Sequence, residues 1–195
     1  MTMTLDQVRR ALRDHRTRQV GEPAAIPAAV AVLLREGAEG LETLFIRRAA
    51  RASDPWSGQV AFPGGRRHPE DAELLDTAIR EVREEIGVDL AGSERLGVLD
   101  DVHPRTPVLP PVFVRPFVFA LSSPGRPALS LSDEAQAAFW LPLRRLAEPG
   151  VLRDVTITVG GAERRFPAYV LGGEVIWGIT ERILTPFFEL VSGTK

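Results

Sequence analysis

Apolar positions recur along this chain with two different periods. Leu5, Val8 and Leu12 stand at helical spacing behind Thr4, a suitable N-cap, so residues 5–17 read as an amphipathic helix. Gly21-Glu22-Pro23 breaks that pattern. Ala28 to Leu34 is a compact apolar run with β-branched members, consistent with a central strand, although a buried helix segment would look similar. Leu41 to Arg48 reads as a second strand after a turn at Ala38-Glu39-Gly40, and Gly58 to Phe62 as a short one running into Pro63-Gly64-Gly65. From about Ala72 to Ile86 the period is helical again, with Leu75, Ile79, Val82 and Ile86 as the buried stripe. Further strands are expected near 95–102 and 112–121, a loop at 130–134, and a short helix over 141–147. Residues 155–159 and 165–171, split by Gly160-Gly161, predict a hairpin, and a last helix runs from about Trp177 to Val191 with a bend at Pro186. Strands interspersed with a few helices suggest an α/β (α+β) fold with a mixed sheet between helices.

Composition narrows the frame. At 195 residues the chain fits one domain with a sizeable core, and no repeat or long linker divides it. It has no cysteine, which excludes disulfides, thiolate metal sites and a cysteine nucleophile. The first ten residues reach charge too early for a signal peptide, and the longest apolar run, 24–34, is too short to span a bilayer. A soluble, cytoplasmic protein with no membrane partner is expected. The net charge of −2 argues against a broad nucleic-acid surface, so no nucleic-acid partner is expected.

The chemistry concentrates after the glycine pair. Glu81, Glu84 and Glu85 fall within an arc of roughly 100° on one helical face. Like charges at this spacing repel, and negative charge near the helix C-terminus opposes the macrodipole. A fold gains nothing from that arrangement in isolation. A divalent cation reverses both penalties, and hard carboxylate oxygens suit Mg2+ or Mn2+. The bland alternative, a solvated acidic face, explains neither the ordered string Arg80-Glu81-Val82-Arg83-Glu84-Glu85-Ile86-Gly87-Val88 nor the Gly64-Gly65 loop before it.

This segment, about residues 65–88, resembles the Nudix box, the signature of hydrolases that cleave a diphosphate linked to another moiety. The second half matches position by position. In the first half the acid is Asp71 rather than Glu, and eight residues instead of seven separate it from Arg80. That extra residue, with Gly58-Gln59-Val60-Ala61-Phe62-Pro63-Gly64-Gly65 upstream, resembles the branch that hydrolyses coenzyme A, as does Ile176-Trp177-Gly178-Ile179-Thr180. One departure stands against it: the branch usually carries an arginine and a histidine before its Gly-Gln pair, whereas Ser53-Asp54-Pro55-Trp56-Ser57 has neither.

The resemblance implies a single Nudix domain over 1–195, folded as an α/β/α sandwich with a loop-helix-loop box. It implies Glu81 and Glu85 as inner metal ligands, Glu84 as a third ligand or the group that orients metal-bound water, and the Gly65 carbonyl as a further metal contact. Arg80 is placed to hold Glu84 by i,i+4 spacing. The glycine pair suits a tight turn with backbone close to a ligand. A general base from a later loop is expected at Glu134, with Asp133, Asp100 and Asp101 as competitors. Arg48, Arg51 and Arg66 are the candidate substrate arginines, with Arg47, Arg67, His103 and Arg105 behind them. Arg48 is the expected partner of a remote substrate phosphate. The implied substrate is a small-molecule nucleoside diphosphate derivative, foremost coenzyme A or its acylated form, split to 3′,5′-ADP and 4′-phosphopantetheine. ADP-ribose, a dinucleotide, a nucleotide sugar or a nucleoside triphosphate are alternatives. A catalytically idle ligand-binding domain is the reading from another class, and a homodimer is a possible assembly.

Overall fold

The structure, a computed structural model, describes residues 3–19, 25–50, 56–104, 111–122 and 126–193. The chain order opens with α1 (Leu5–Asp14), β1 (Ile26–Gly37), β2 (Gly40–Arg48), β3 (Val60–Ala61) and β4 (Gly64–Arg66). α2 (Leu74–Ile86), β5 (Glu94–Val98), β6 (Val112–Ala120), β7 (Ala135–Pro142) and α3 (Leu143–Leu146) follow. β8 (Leu152–Val159), β9 (Ala162–Leu171), β10 (Glu174–Trp177) and α4 (Ile179–Ser192) complete it.

β1 is the spine of a mixed seven-stranded sheet. It runs parallel to β6 and turns back into antiparallel β2, but the two pair only from Leu34 to the turn. Beyond that point the segment 60–66 fills the space between them, with β3 on Ile46-Arg47 and β4 on Ala28–Val30. β7 lies antiparallel on the other edge of β2, and β5 on the outer edge of β6.

Because side chains alternate across a strand, a strand buried on both faces feeds two cores. Ala29, Ala31 and Leu33 of β1 join Leu74, Ala78, Val82 and Ile86 of α2, whereas Ala28, Val32 and Leu34 join Val8 and Leu12 of α1 and Ile183, Leu184 and Phe187 of α4. Fully burying each of the larger side chains contributes roughly 1.5–3 kcal/mol. The result is helix on both faces of one sheet. A separate antiparallel sheet, β8-β9-β10, turns at Gly160-Gly161, whose φ of 59° and 79° fit the two-residue hairpin turn.

Several boundaries differ from the sequence expectation. α1 ends at Asp14 because the backbone turns extended at His15, whose imidazole meets Asp100. Leu75 and Ile79 are only half-buried, since α2 is rotated to bring Leu74 and Ala78 onto the sheet and Glu81 and Glu85 toward β4. The helix expected over 141–147 is the single turn α3, and the residues before it form strand β7, where pairing with β2 overrides an alanine-rich local preference. Trp177 ends strand β10 rather than opening the last helix, because Gly178 at φ 69° separates the two. Among the described residues no helix is long and apolar enough to cross a membrane.

Candidate active site

The loop before α2 is tied to the helix through one buried carboxylate. Asp71 accepts from the His68 backbone N–H, from Thr77 Oγ1 at 2.9 Å, and from Arg80 at both oxygens, Nε to Oδ1 at 3.1 Å and Nη2 to Oδ2 at 3.0 Å. The Arg80 fork holds the Asp71 carboxyl well below the usual range, with the His68 and Thr77 bonds acting the same way against burial. Arg80 is fully engaged: its Nη1 also donates to Glu81 at 2.9 Å and Glu84 at 2.8 Å, and its Nη2 to the Arg66 carbonyl. The i,i+4 contact with Glu84 is therefore present, but it is one of four attachments. A bidentate arginine at the centre fixes the relative position of the loop and the helix face.

The glycine pair lies in strand β4 rather than in a turn. β4 is squeezed between β1 and α2, and glycine is required there by space. A Cβ on Gly64, whose φ is 153°, would come within 2.2 Å of the Ala29 carbonyl oxygen, and one on Gly65 within 2.4 Å of Glu81 Oε1. The helix face can thus rest its carboxylates directly against backbone. Glu85, only 2% exposed, accepts from the Gly64 N–H at 2.8 Å through Oε2, while its Oε1 has no hydrogen-bond donor among the described residues and lies 3.9 Å from Arg48 Nη1. Burial pushes the Glu85 carboxyl up to about 8, opposed by the Gly64 bond and reinforced by the charge of Glu81. Glu81 is raised as well, again chiefly by burial, with Arg80 pulling it back. Glu84, by contrast, exposes about half of its side chain, 52%.

A cavity of about 330 Å³ opens beside this face, lined by Glu81, Gly64, Gly65, Arg48, Arg66, His68 and Glu134 among others. Glu134 arrives from the predicted loop, which is pinned to the end of α2 by Ser132 N–H on the Glu85 carbonyl and Ser130 N–H on that of Ile86. Its charge is felt by both Glu81 and Glu85. Asp133 belongs to the same loop but not to the cavity wall. Asp100 and Asp101 lie elsewhere, bound to His15 and Arg18 and to Arg115 respectively. Arg67 is turned onto the carbonyls of Asp71 and Ala72, and Arg47 onto Glu174. Arg51 and Arg105 lie outside the described residues.

The donor set fits a divalent cation. A buried carboxylate oxygen without a donor, a second buried carboxylate alongside it and a backbone free of Cβ atoms give hard oxygens in a desolvated corner. Among the described residues no three such side chains already converge into a ready cage, and Arg80 is the counter-ion shared by Glu81 and Glu84. Sequence reasoning missed His68 and Ile183 in the cavity wall: His68 is placed by its loop bond to Asp71, and Ile183 by the docking of α4 on the sheet. Thr180, also in the wall, donates to the Val60 carbonyl at 3.0 Å, so α4 is tied to the approach of the glycine strand.

Comparison with known proteins agrees with this geometry. Residues 25–158 match the NUDIX domain model. The human mitochondrial coenzyme A diphosphatase NUDT8 is 30% identical over 183 residues, covering 92% of this chain and 74% of that protein. An uncharacterised protein of Schizosaccharomyces pombe is 34% identical over 133 residues, 65% of this chain and 40% of its own length. A MutT/nudix family protein from Enterococcus faecalis superimposes with a TM-score of 0.59 at 21% identity, covering 97% of this chain and 70% of that one, a likeness of fold. With the box, the buried carboxylates and the matched span in agreement, the chain belongs to the Nudix family and is a hydrolase of a diphosphate substrate.

Proposed function

We propose that this protein is a divalent-metal-dependent coenzyme A diphosphatase, with Mg2+ or Mn2+ as cofactor. The observation that carries the reading is the pair of buried carboxylates, Glu81 and Glu85, set against Gly64-Gly65, with Glu81 lining a cavity that also receives Glu134 and Arg48. The coenzyme A assignment is supported by the relatives named for that activity and by the segments around Gly58 and Gly178.

In this reading Glu81 and Glu85, with Glu84 at the exposed end and the Gly65 carbonyl, hold the metal, which when bound supplies charge neutralisation and a more acidic water. Arg80 is a positioning residue, since every donor it has is spent on Asp71, Glu81, Glu84 and the Arg66 carbonyl. Glu134 takes the proton from the attacking water. Oxygen adds to one phosphorus while the bridging P–O bond breaks, and the bridging oxygen leaves with the other phosphate. In this reading Arg48, whose Nη1 lies 3.9 Å from Glu85 Oε1, meets the diphosphate itself rather than a remote phosphate. Arg66, exposed at the rim, is a second phosphate contact. Three mutually repelling glutamates on one helix face have no use in an idle binder. The missing arginine and histidine before Gly58 are what keep ADP-ribose and other nucleoside diphosphate derivatives as the second reading.

Incubation with coenzyme A, its dephospho form, ADP-ribose, a dinucleotide and a nucleoside triphosphate, with Mg2+ or Mn2+ and products identified by mass, tests the assignment. Release of 3′,5′-ADP and 4′-phosphopantetheine from coenzyme A supports it. Intact coenzyme A alongside consumed ADP-ribose refutes the substrate and keeps the chemistry.

A further inference from the structure

A diphosphate carries two substituents, and the reaction cavity has room and chemistry for one of them. Away from the carboxylates its walls are apolar, with Val30, Val112, Val114 and Ile183, which suits a narrow uncharged arm. Trp56, Gln59 and Ile179 line this cavity and also a second cleft, more than twice as large at about 780 Å³ against 330 Å³. That cleft lies between the small sheet β8-β9-β10 and the start of α4. The two cavities therefore share an edge beside Trp56.

The second cleft has a different character. The rings of Phe166 and Trp177, centroids 5.2 Å apart and tilted by 44°, form an aromatic part of the wall, to which Trp56 adds a third ring at the shared edge. Among the described residues, Arg47, Arg164 and Arg182 line it against two carboxylates, Glu174 and Glu181. Arg47 is engaged by Glu174 at 2.5 Å, and Arg182 donates to the His103 carbonyl, which leaves the exposed Arg164 as the most accessible cation of the wall. Flat aromatic faces recognise a planar base, and guanidinium groups recognise a phosphate.

We propose that this cleft is the nucleoside chamber: it seats an aromatic base on the Trp177–Phe166–Trp56 side and an anionic ribose substituent toward Arg164. The uncharged arm of the substrate then occupies the reaction cavity. The proposal rests on the diphosphatase reading above and adds the direction in which the substrate lies.

Two substitutions test it from exposed positions. Arg164→Glu reverses the charge, and Val175→Phe narrows the cleft at a side chain that is 38% exposed. Arg164→Glu is expected to raise KM for coenzyme A about tenfold, the loss of one charge-assisted contact, with a smaller change for dephospho-coenzyme A. Val175→Phe is expected to raise KM for both. Independently of turnover, 3′,5′-ADP should quench the fluorescence of the cleft tryptophans, 4′-phosphopantetheine should not, and Arg164→Glu should weaken the quenching by a similar factor. Unchanged KM and unchanged 3′,5′-ADP affinity in both folded variants overturn the chamber while leaving the diphosphatase reading intact. If coenzyme A is not hydrolysed at all, the substrate reading fails, and 3′,5′-ADP quenching in the native protein and Arg164→Glu still decides the chamber.

Discussion

Replacing Glu85 by glutamine should make the metal-free protein more stable at alkaline pH, although it removes a residue central to the site. The folded state holds the Glu85 proton up to about pH 8, whereas the ordinary value is 4.5. Between those limits the folded chain binds more protons than the unfolded chain, so stability falls as pH rises through the window. Each tenfold difference in acidity is about 1.4 kcal/mol, which sets a ceiling of ~5 kcal/mol on the loss. Glu81, also raised by burial, acts in the same direction. Asp71 does not interfere, since its lowered pKa contributes stability that is lost only in stronger acid. Glutamine is neutral throughout and keeps an oxygen for the Gly64 N–H. Urea denaturation in the presence of a chelator, at steps from pH 5 to 8.5, is the assay. The native protein should lose several kcal/mol across this range, and Glu85→Gln should lose much less and overtake it near pH 8. Added Mn2+ should restore the native protein at pH 8 and leave the variant where it was. Parallel pH profiles for the two proteins refute the argument that Glu85 is a desolvated carboxylate awaiting a cation.

Other substitutions probe the supports of the site. Asp71→Asn strips the Arg80 fork of its charged partner and should destabilise by about 3 kcal/mol in urea while also lowering kcat, because breaking a buried pair leaves the other charge uncompensated. Gly65→Ala should cost metal affinity and activity at least about tenfold by driving a methyl into Glu81 Oε1, whereas Gly92→Ala, with nothing within 4 Å, should leave both unchanged in a metal titration and rate assay. Glu134→Gln should lower kcat by about 10²- to 10⁴-fold with little change in KM, and Asp101→Asn should not reproduce that pattern; an unchanged kcat moves the base elsewhere.

The box was readable because its chemistry is local. Arg80, Glu81, Glu84 and Glu85 lie within two turns of one helix, and helical geometry alone brings them to one face. What the sequence could not give is set by pairing between distant segments. Gly64 and Gly65 look like a turn until β1 and β2 diverge and admit them as a strand, and only then is it evident that Glu81 occupies the space a Cβ would need. Arg47 and Arg48 are adjacent and chemically identical, yet successive side chains of β2 point to opposite faces, and which face meets Glu174 and which meets Glu85 is decided by distant segments packed on each. Asp100 competes with Glu134 for the role of loop acid in the sequence. Backbone hydrogen bonds from the 130–134 loop to the end of α2 distinguish them, and nothing in local composition encodes those. β7 hid for a related reason, since Ala135-Gln136-Ala137-Ala138 has weak strand preference and becomes a strand through its partner β2.

The central claim is that buried glutamates on α2 hold a metal for diphosphate cleavage. It is tested most directly by following coenzyme A by mass, with the native protein and Glu85→Gln side by side, in Mn2+ and in chelator. 3′,5′-ADP and 4′-phosphopantetheine are expected from the native protein in Mn2+ alone, with the variant and the chelated sample slower by orders of magnitude. Equal turnover by Glu85→Gln, or turnover that persists in chelator, would contradict the claim.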